Sequence, residues 1–210
     1  NKFKYFIEKS SFNFAKQNNK GVKYSNGKFI ILLNNDTEII TPEWIQELLG
    51  LASQRKIGAV GCKLLYKDKT IQHAGIQLLT EQIAGHTANH LQENNPIYCD
   101  MVNTIHECSA VTAACLMIEK DKFEKVGGLE EIHCPNGFGD VLFCLKLIEE
   151  GYNNIYTPYA KLFHLESVCR NRSNENYEKI FISRNFSKYL CKDKYVNYNL
   201  QSDLYYSYKE

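Results

Sequence analysis

The chain lacks the marks of several common protein classes. No charge of one sign dominates: 25 lysines and arginines face 24 aspartates and glutamates, for a net charge of +1. Both signs are scattered and no basic block occurs, which argues against a nucleic-acid partner. Long apolar runs are missing as well. Stretches such as "FIILL" fall far short of the roughly 20 residues that a membrane-spanning helix needs. None of the eight cysteines forms a Cys-x-x-Cys pair, and several sit inside apolar segments. That spacing disfavours zinc, and it suits reduced core thiols of a cytoplasmic protein better than a disulfide framework. No internal repeat and no signal peptide are visible.

What is present suits one compact domain: 210 residues, 44% of them hydrophobic, enough to bury a sizeable core. The expected division is a sheet core over 1–170, holding the sites, and a C-terminal helix with a tyrosine-rich tail over 171–210. Phe14, Asn18 and Val22 share one helical face, with Gly27 as a stop. Phe29 to Leu33 reads as a central strand of a parallel sheet. Thr41 and Pro42 read as the cap and first residue of the helix "PEWIQELLGLASQ". "IGAVGCKLLY", "TIQHAGIQLL" and "SAVTAACLMIEK" are expected as strands, and the polar stretch from Glu81 to Asn103 as a long loop. "DKFEKVGG" is expected as a short helix and "GDVLFCLKLIEEG" as a helix starting near Asp140. Two short strands, "YNNIYTP" and "KLFHL", and a last helix from Ser173 to Cys191 complete an alternating α/β pattern. Asn1 leads straight into the alternating "FKYFI", which reads as a chain cut within a longer protein.

Three places offer chemistry. In open α/β sheets, ligands bind beyond the carboxyl ends of the strands. Asn34 to Glu38 occupies such an end, and Asp36 and Glu38 are hard oxygen donors suited to Mg²⁺ or Mn²⁺ beside a diphosphate. The same stretch also reads as a plain polar turn with Asp and Thr as caps. Asp140, where a polar loop meets an apolar helix, reads either as a general base or as a helix-terminal cap. His164, at the end of a short strand, reads as a neutral imidazole ligand or as a satisfied core histidine.

The segments "GVKYSNGKFIILLNNDTEIITPEWIQELL", "IGAVGCKLLYKDKTIQHAG", "VTAACLMIEKDKFEKVGGLEE", "GFGDVLFCLKLIEEGYNNIYTPYAKLFHLES" and "YVNYNL" follow in that order. Together they resemble the family 2 glycosyltransferases, in particular the rhamnosyltransferase-like, polysaccharide-building branch. The resemblance implies a GT-A fold: an α/β domain with a mixed, mainly parallel sheet flanked by helices. It also implies inverting transfer from a nucleotide-sugar donor to a glycan or lipid-linked glycan acceptor, in O-antigen or capsule biosynthesis. The enzyme would be cytoplasmic, in peripheral contact with the inner face of the cell membrane.

Asn34-Asn35-Asp36 then stands for the family's Asp-x-Asp motif. Asp36 keeps the carboxylate for Mg²⁺ or Mn²⁺, and His164 supplies another metal or phosphate contact. Asp140 falls at the catalytic base. Asn19, Asn34 and Asn35 lie on the donor side, and His73, Gly75, Thr112 and Ala113 would line the sugar and acceptor region. Two departures stand out. Leu142 occupies a place where the family often has a second acid, and the front portion that holds the nucleotide base is absent. Without it, the fragment would be inactive and would self-associate through the exposed "FKYFI" edge. Both departures leave room for an alternative, a non-catalytic glycan-binding or scaffold domain that kept the fold.

Overall fold

A computed structural model describes residues 3–80, 82–95, 97–165, 175–190, 192–197 and 199. The expected start of the last helix at Ser173, its end at Cys191, Cys169 and the tail beyond 200 lie outside them. The helices are α1 (Phe14–Tyr24), α2 (Trp44–Ala52), α3 (Lys120–Lys125), α4 (Gly139–Glu149), α5 (Glu175–Asn185) and α6 (Ser187–Leu190). The strands are β1 (Phe29–Leu33), β2 (Thr37–Ile39), β3 (Ile57–Leu65), β4 (Ile71–His73), β5 (Ile76–Leu79), β6 (Ile83–His86), β7 (His106–Cys108), β8 (Cys115–Glu119) and β9 (Asn153–His164).

The main sheet runs β1-β8-β3-β9-β2, with β4 on β3 and β7 on β9, and β5 pairs β6 separately. It is the expected mixed α/β sheet flanked by helices. Its parallel element is the β3–β9 pair, and the other described pairings are antiparallel. Every residue of β3 is buried, because strands cover both of its edges and side chains cover both of its faces. Alternation along β8 divides the core in two. Leu116 and Ile118 pack on one face with Val141 and Leu145 of α4, while Cys115 and Met117 pack on the other with Trp44 and Leu48 of α2.

Several elements differ from expectation. β1 ends the described strand path and is antiparallel to β8, so it is not a central parallel strand. Residues 3–7 form no strand, and Phe3, Tyr5 and Ile7 are exposed. Thr41 does not cap α2; its hydroxyl accepts the Lys161 N–H at 3.2 Å, and the helix starts at Trp44. "TIQHAGIQLL" breaks into β4 and β5 at Gly75, whose φ of +94° suits glycine. Part of the expected 81–103 loop forms β6, because β5 offers it a pairing edge. The two strands expected after α4 are one, β9, continuous through Pro158. The final helix is interrupted between α5 and α6 at Phe186.

Candidate functional site

The acidic stretch after β1 does not run straight into a helix. Asn34 donates its N–H to Ala114 O at 2.9 Å, and Thr37 Oγ1 donates to Asn34 O at 2.8 Å, which closes a turn. The chain then forms β2, which pairs antiparallel with β9 in the register Thr37↔His164, and the Leu165 N–H reaches Asp36 O at 2.9 Å. This pairing carries Asp36 to the side of His164. Oδ1 of Asp36 lies 3.2 Å from Nε2 of His164, and both side chains are largely buried. Asn34 Nδ2 also lies 3.2 Å from that Nε2, while Nδ1 lies 2.7 Å from Oε1 of Gln72.

This pair fits a divalent ion. Nε2 of His164 lies between Asn34 Nδ2 and Asp36 Oδ1, and in the neutral ring that accepts from Asn34 it turns a lone pair toward the carboxylate. Only a proton or a cation reconciles the two. Among the described residues no group of three or more His, Cys, Asp or Glu side chains gathers for a metal. Mg²⁺ and Mn²⁺ sites need no more than one or two protein ligands when substrate phosphates and water supply the rest. Glu38, on β2, is exposed.

Asp140 opens α4 half-buried. Its Oδ1 accepts the Val141 N–H at 2.9 Å and its Oδ2 accepts the Ala113 N–H at 3.2 Å. Each oxygen keeps a further lone pair for a proton. Residues 112–114 join the two halves of the site: Ala113 holds Asp140, and Ala114 holds Asn34. Thr112 supports the segment by accepting the Ala114 N–H at 3.3 Å. The whole chain of contacts lies where β1, β3 and β9 end and β8 begins. A cleft of about 600 Å³ lined by Arg55, Lys122, Lys125 and Tyr152 lies at the opposite end of the sheet and contains none of these residues.

The model of Glycosyl transferase family 2 matches residues 1–126. The chain belongs to that family. A 162-residue stretch is 42% identical to uncharacterized protein y4gI of Sinorhizobium fredii, covering 76% of this chain and 18% of the relative. The O-antigen biosynthesis protein RfbC of Myxococcus xanthus is 36% identical over 161 residues, which is 76% of this chain and 12% of the relative. The chain therefore spans less than a fifth of either relative. Among solved structures, GalNAc-T7 with UDP, GalNAc and Mn²⁺ superposes with a TM-score of 0.66 at 11% identity, covering 94% of this chain and 40% of the other. The mannosyltransferase PcManGT from Pyrobaculum calidifontis, with GDP-Man and Mn²⁺, gives 0.53 at 12% identity over 90% and 46%. At such identities these two speak for the GT-A glycosyltransferase fold alone.

The remaining candidate residues of this family 2 domain lie in different settings. Asn35 is exposed in the turn beside Asp36. Asn19 is engaged elsewhere: its amide bonds to Leu129 O, Leu129 N–H and Glu131 Oε1 at 2.8, 2.9 and 2.8 Å, which ties α1 to the 129–131 turn. His73 is fully buried, with Nδ1 3.0 Å from Nδ1 of His86, so it lies beneath the surface it was expected to line. Gly75 is likewise buried, against Cys108 and His106. Burial, with His86, His106 and His164 nearby, holds the His73 imidazole well below its ordinary pKa, so it is neutral. Leu142 is 1% exposed within the core. It packs in the same core cluster as Val141 and Leu145.

Two supporting residues escaped sequence analysis. Glu178 of α5 is buried, and its carboxylate accepts N–H groups from Asn136, Gly137 and Phe138 at 3.3, 2.9 and 2.7 Å. It clamps the loop that leads directly to Asp140. A Cβ at Gly137 would push that carboxylate aside and loosen the clamp. Gln72 holds His164. Neither carries a local pattern, since a lone Glu in a polar helix and a Gln in a strand look like surface residues. Only the glycine-rich "PNGFGD" hinted at a close approach.

Proposed function

We propose that this domain transfers a sugar from a nucleotide-sugar donor to a glycan or lipid-linked glycan acceptor with inversion, in the building of a surface polysaccharide such as O-antigen or capsule. The observation that carries this reading is the continuous linkage of Asp140 through Ala113 and Ala114 to Asn34, and from Asn34 to the Asp36–His164 pair. It sets a proton acceptor beside an anion-plus-cation site. Asp140 takes the proton from an acceptor hydroxyl. That oxygen bonds to the anomeric carbon from the face opposite the donor phosphate, the carbon–oxygen bond to the diphosphate breaks, and a nucleoside diphosphate departs. Asp36 and His164 would hold Mg²⁺ or Mn²⁺, which supplies neutralising charge for the departing diphosphate. Asn34 and Asn35 bracket the donor, and the small residues at 112–114 let a sugar approach the backbone.

Support comes from RfbC, named for O-antigen biosynthesis, and from neighbours solved with UDP or GDP-Man and Mn²⁺. A hexose, with rhamnose the first candidate, is the proposed donor sugar. No helix among the described residues is long and apolar enough to cross a membrane, and the six described cysteines carry free thiols. We accordingly assign the domain to the cytoplasm, in peripheral contact with the inner membrane face. Self-association is assigned to the N-terminal segment, where Phe3, Tyr5 and Ile7 are exposed.

The test is to incubate the full-length protein with a panel of nucleotide sugars, Mn²⁺ and lipid-linked acceptors. The expected result is acceptor-dependent release of a nucleoside diphosphate, with product anomeric configuration opposite to the donor's. Retention of configuration, or full turnover in Asp140→Asn, would overturn the mechanism. A glycan-binding scaffold would instead bind acceptor and release no nucleotide.

A further inference from the structure

We propose that Gln72 is the positioning residue of the metal pair, locking His164 in the tautomer whose Nε2 faces Asp36 as a ligand. This rests on the assignment of Asp36 and His164 to a divalent ion. The strand register explains why Gln72 can do this. β4 pairs β3 at Leu64↔His73 and at Leu65↔Ile71, so two adjacent residues of β3 face positions two apart on β4. Gln72 is the extra residue of a β-bulge, a device that re-aims one side chain out of the regular alternation. β3 in turn pairs β9 at Leu64↔Leu162 and Leu65↔Phe163, next to His164. The bulged side chain crosses β3 and places Oε1 2.7 Å from Nδ1 of His164, while Gln72 itself is 5% exposed.

The hydrogen-bond inventory fixes the direction. Oε1 only accepts, so Nδ1 carries the proton. In the neutral ring Nε2 is then the acceptor toward Asn34 Nδ2 at 3.2 Å, and in the imidazolium Nε2–H donates to Asp36 Oδ1, also at 3.2 Å. The other neutral tautomer would place Nε2–H toward Asp36 Oδ1 but set donor against donor at Asn34 and acceptor against acceptor at Gln72. The two amides thus agree on one state of the ring, and in it Nε2 and Asp36 Oδ1 turn lone pairs toward a common point. Outer partners of this kind, which hold a ligating histidine by its other nitrogen, typically alter metal affinity about 10–100-fold when removed.

The test uses Gln72→Met, which keeps length and volume but cannot accept this hydrogen bond, and Gln72→Glu, which accepts it more strongly. Thermal melts establish that each variant is folded. In metal-free protein labelled with ¹⁵N-histidine, long-range ¹H–¹⁵N spectra are expected to show His164 protonated at Nδ1 in the wild type and in Gln72→Glu, and at Nε2 in Gln72→Met. Mn²⁺ affinity, read by electron paramagnetic resonance with and without UDP or GDP, is expected to fall about 10–100-fold in Gln72→Met and to persist in Gln72→Glu. A wild-type His164 that carries no proton at Nδ1 overturns the proposal, as does equal Mn²⁺ affinity in wild type and Gln72→Met. If Mn²⁺ binds both equally but not Asp36→Asn, the metal assignment stands and only the role of Gln72 falls. A wild type that takes up no Mn²⁺ removes the metal assignment and the proposal together.

Discussion

Asp140 accepts one backbone N–H on each oxygen, so Asp140→Asn keeps the shape but sets its amide against one of those donors. Asp140→Asn is expected to keep the fold and donor affinity while turnover drops about 10²–10⁴-fold, since the amide cannot take the acceptor proton. Steady-state kinetics with the donor varied separate the two effects; near-normal turnover would remove Asp140 from the chemistry. Asp36→Ala acts at the other end of the same linkage. It is expected to abolish Mn²⁺-dependent strengthening of nucleotide binding, measured by calorimetry, and to leave metal-independent binding unchanged.

At the scale of elements, the site depends on contacts between pieces far apart in the chain. α5 reaches back about forty positions to clamp the loop before α4, with Glu178 on three successive N–H donors. His133, at the start of the loop, stacks on Phe181 of the same helix at 4.2 Å and bonds Tyr177 at 3.0 Å. Glu178→Gln replaces one acceptor oxygen by a donor that opposes those N–H groups. A stability loss of about 1–3 kcal/mol is expected in urea unfolding. Hydrogen exchange should rise first at 136–138, ahead of the sheet. Exchange spread evenly over the molecule would mean that the clamp is not local.

For the whole molecule, buried titratable groups predict opposite behaviour at the two ends of the pH scale. His73 is neutral in the folded state and takes up a proton more readily once unfolded. Where the unfolded chain binds more protons, stability rises with pH, so this contribution is lost as pH falls below about 6.5. Lys63, fully buried between Glu93 O and Asn103 Oδ1, has its pKa pushed down to about 8, first by burial and then by the charge of Lys161. Its unfolded counterpart still holds a proton between about 8 and 10.4. Wild type should therefore gain stability relative to Lys63→Met across that range, by more than about 1 kcal/mol. Denaturation series at pH 7, 8.5 and 10 check this, and an unchanging difference would mean that Lys63 titrates normally.

The amino-acid sequence by itself determined the class of the fold, its family and the candidate groups of the site. Helical spacing marked a face of α1, and continuous apolar runs marked β1, β3, β8 and α4, because burial on both faces leaves no polar alternation. Asp36, Asp140 and His164 were legible because they interrupt apolar segments at element ends. Tertiary structure alone decided how they meet. The three residues of β2 are too short and too exposed to leave a pattern, yet their pairing with β9 is what sets Asp36 beside His164. The bulge that aims Gln72 is a mismatch between two strands and exists in neither alone. His73 looked like a site residue and is a buried one, and Asn19 looked like a donor contact and is a clasp. In each case the side chain's chemistry is local, but its partner is chosen by long-range packing, which the order of residues along the chain does not display.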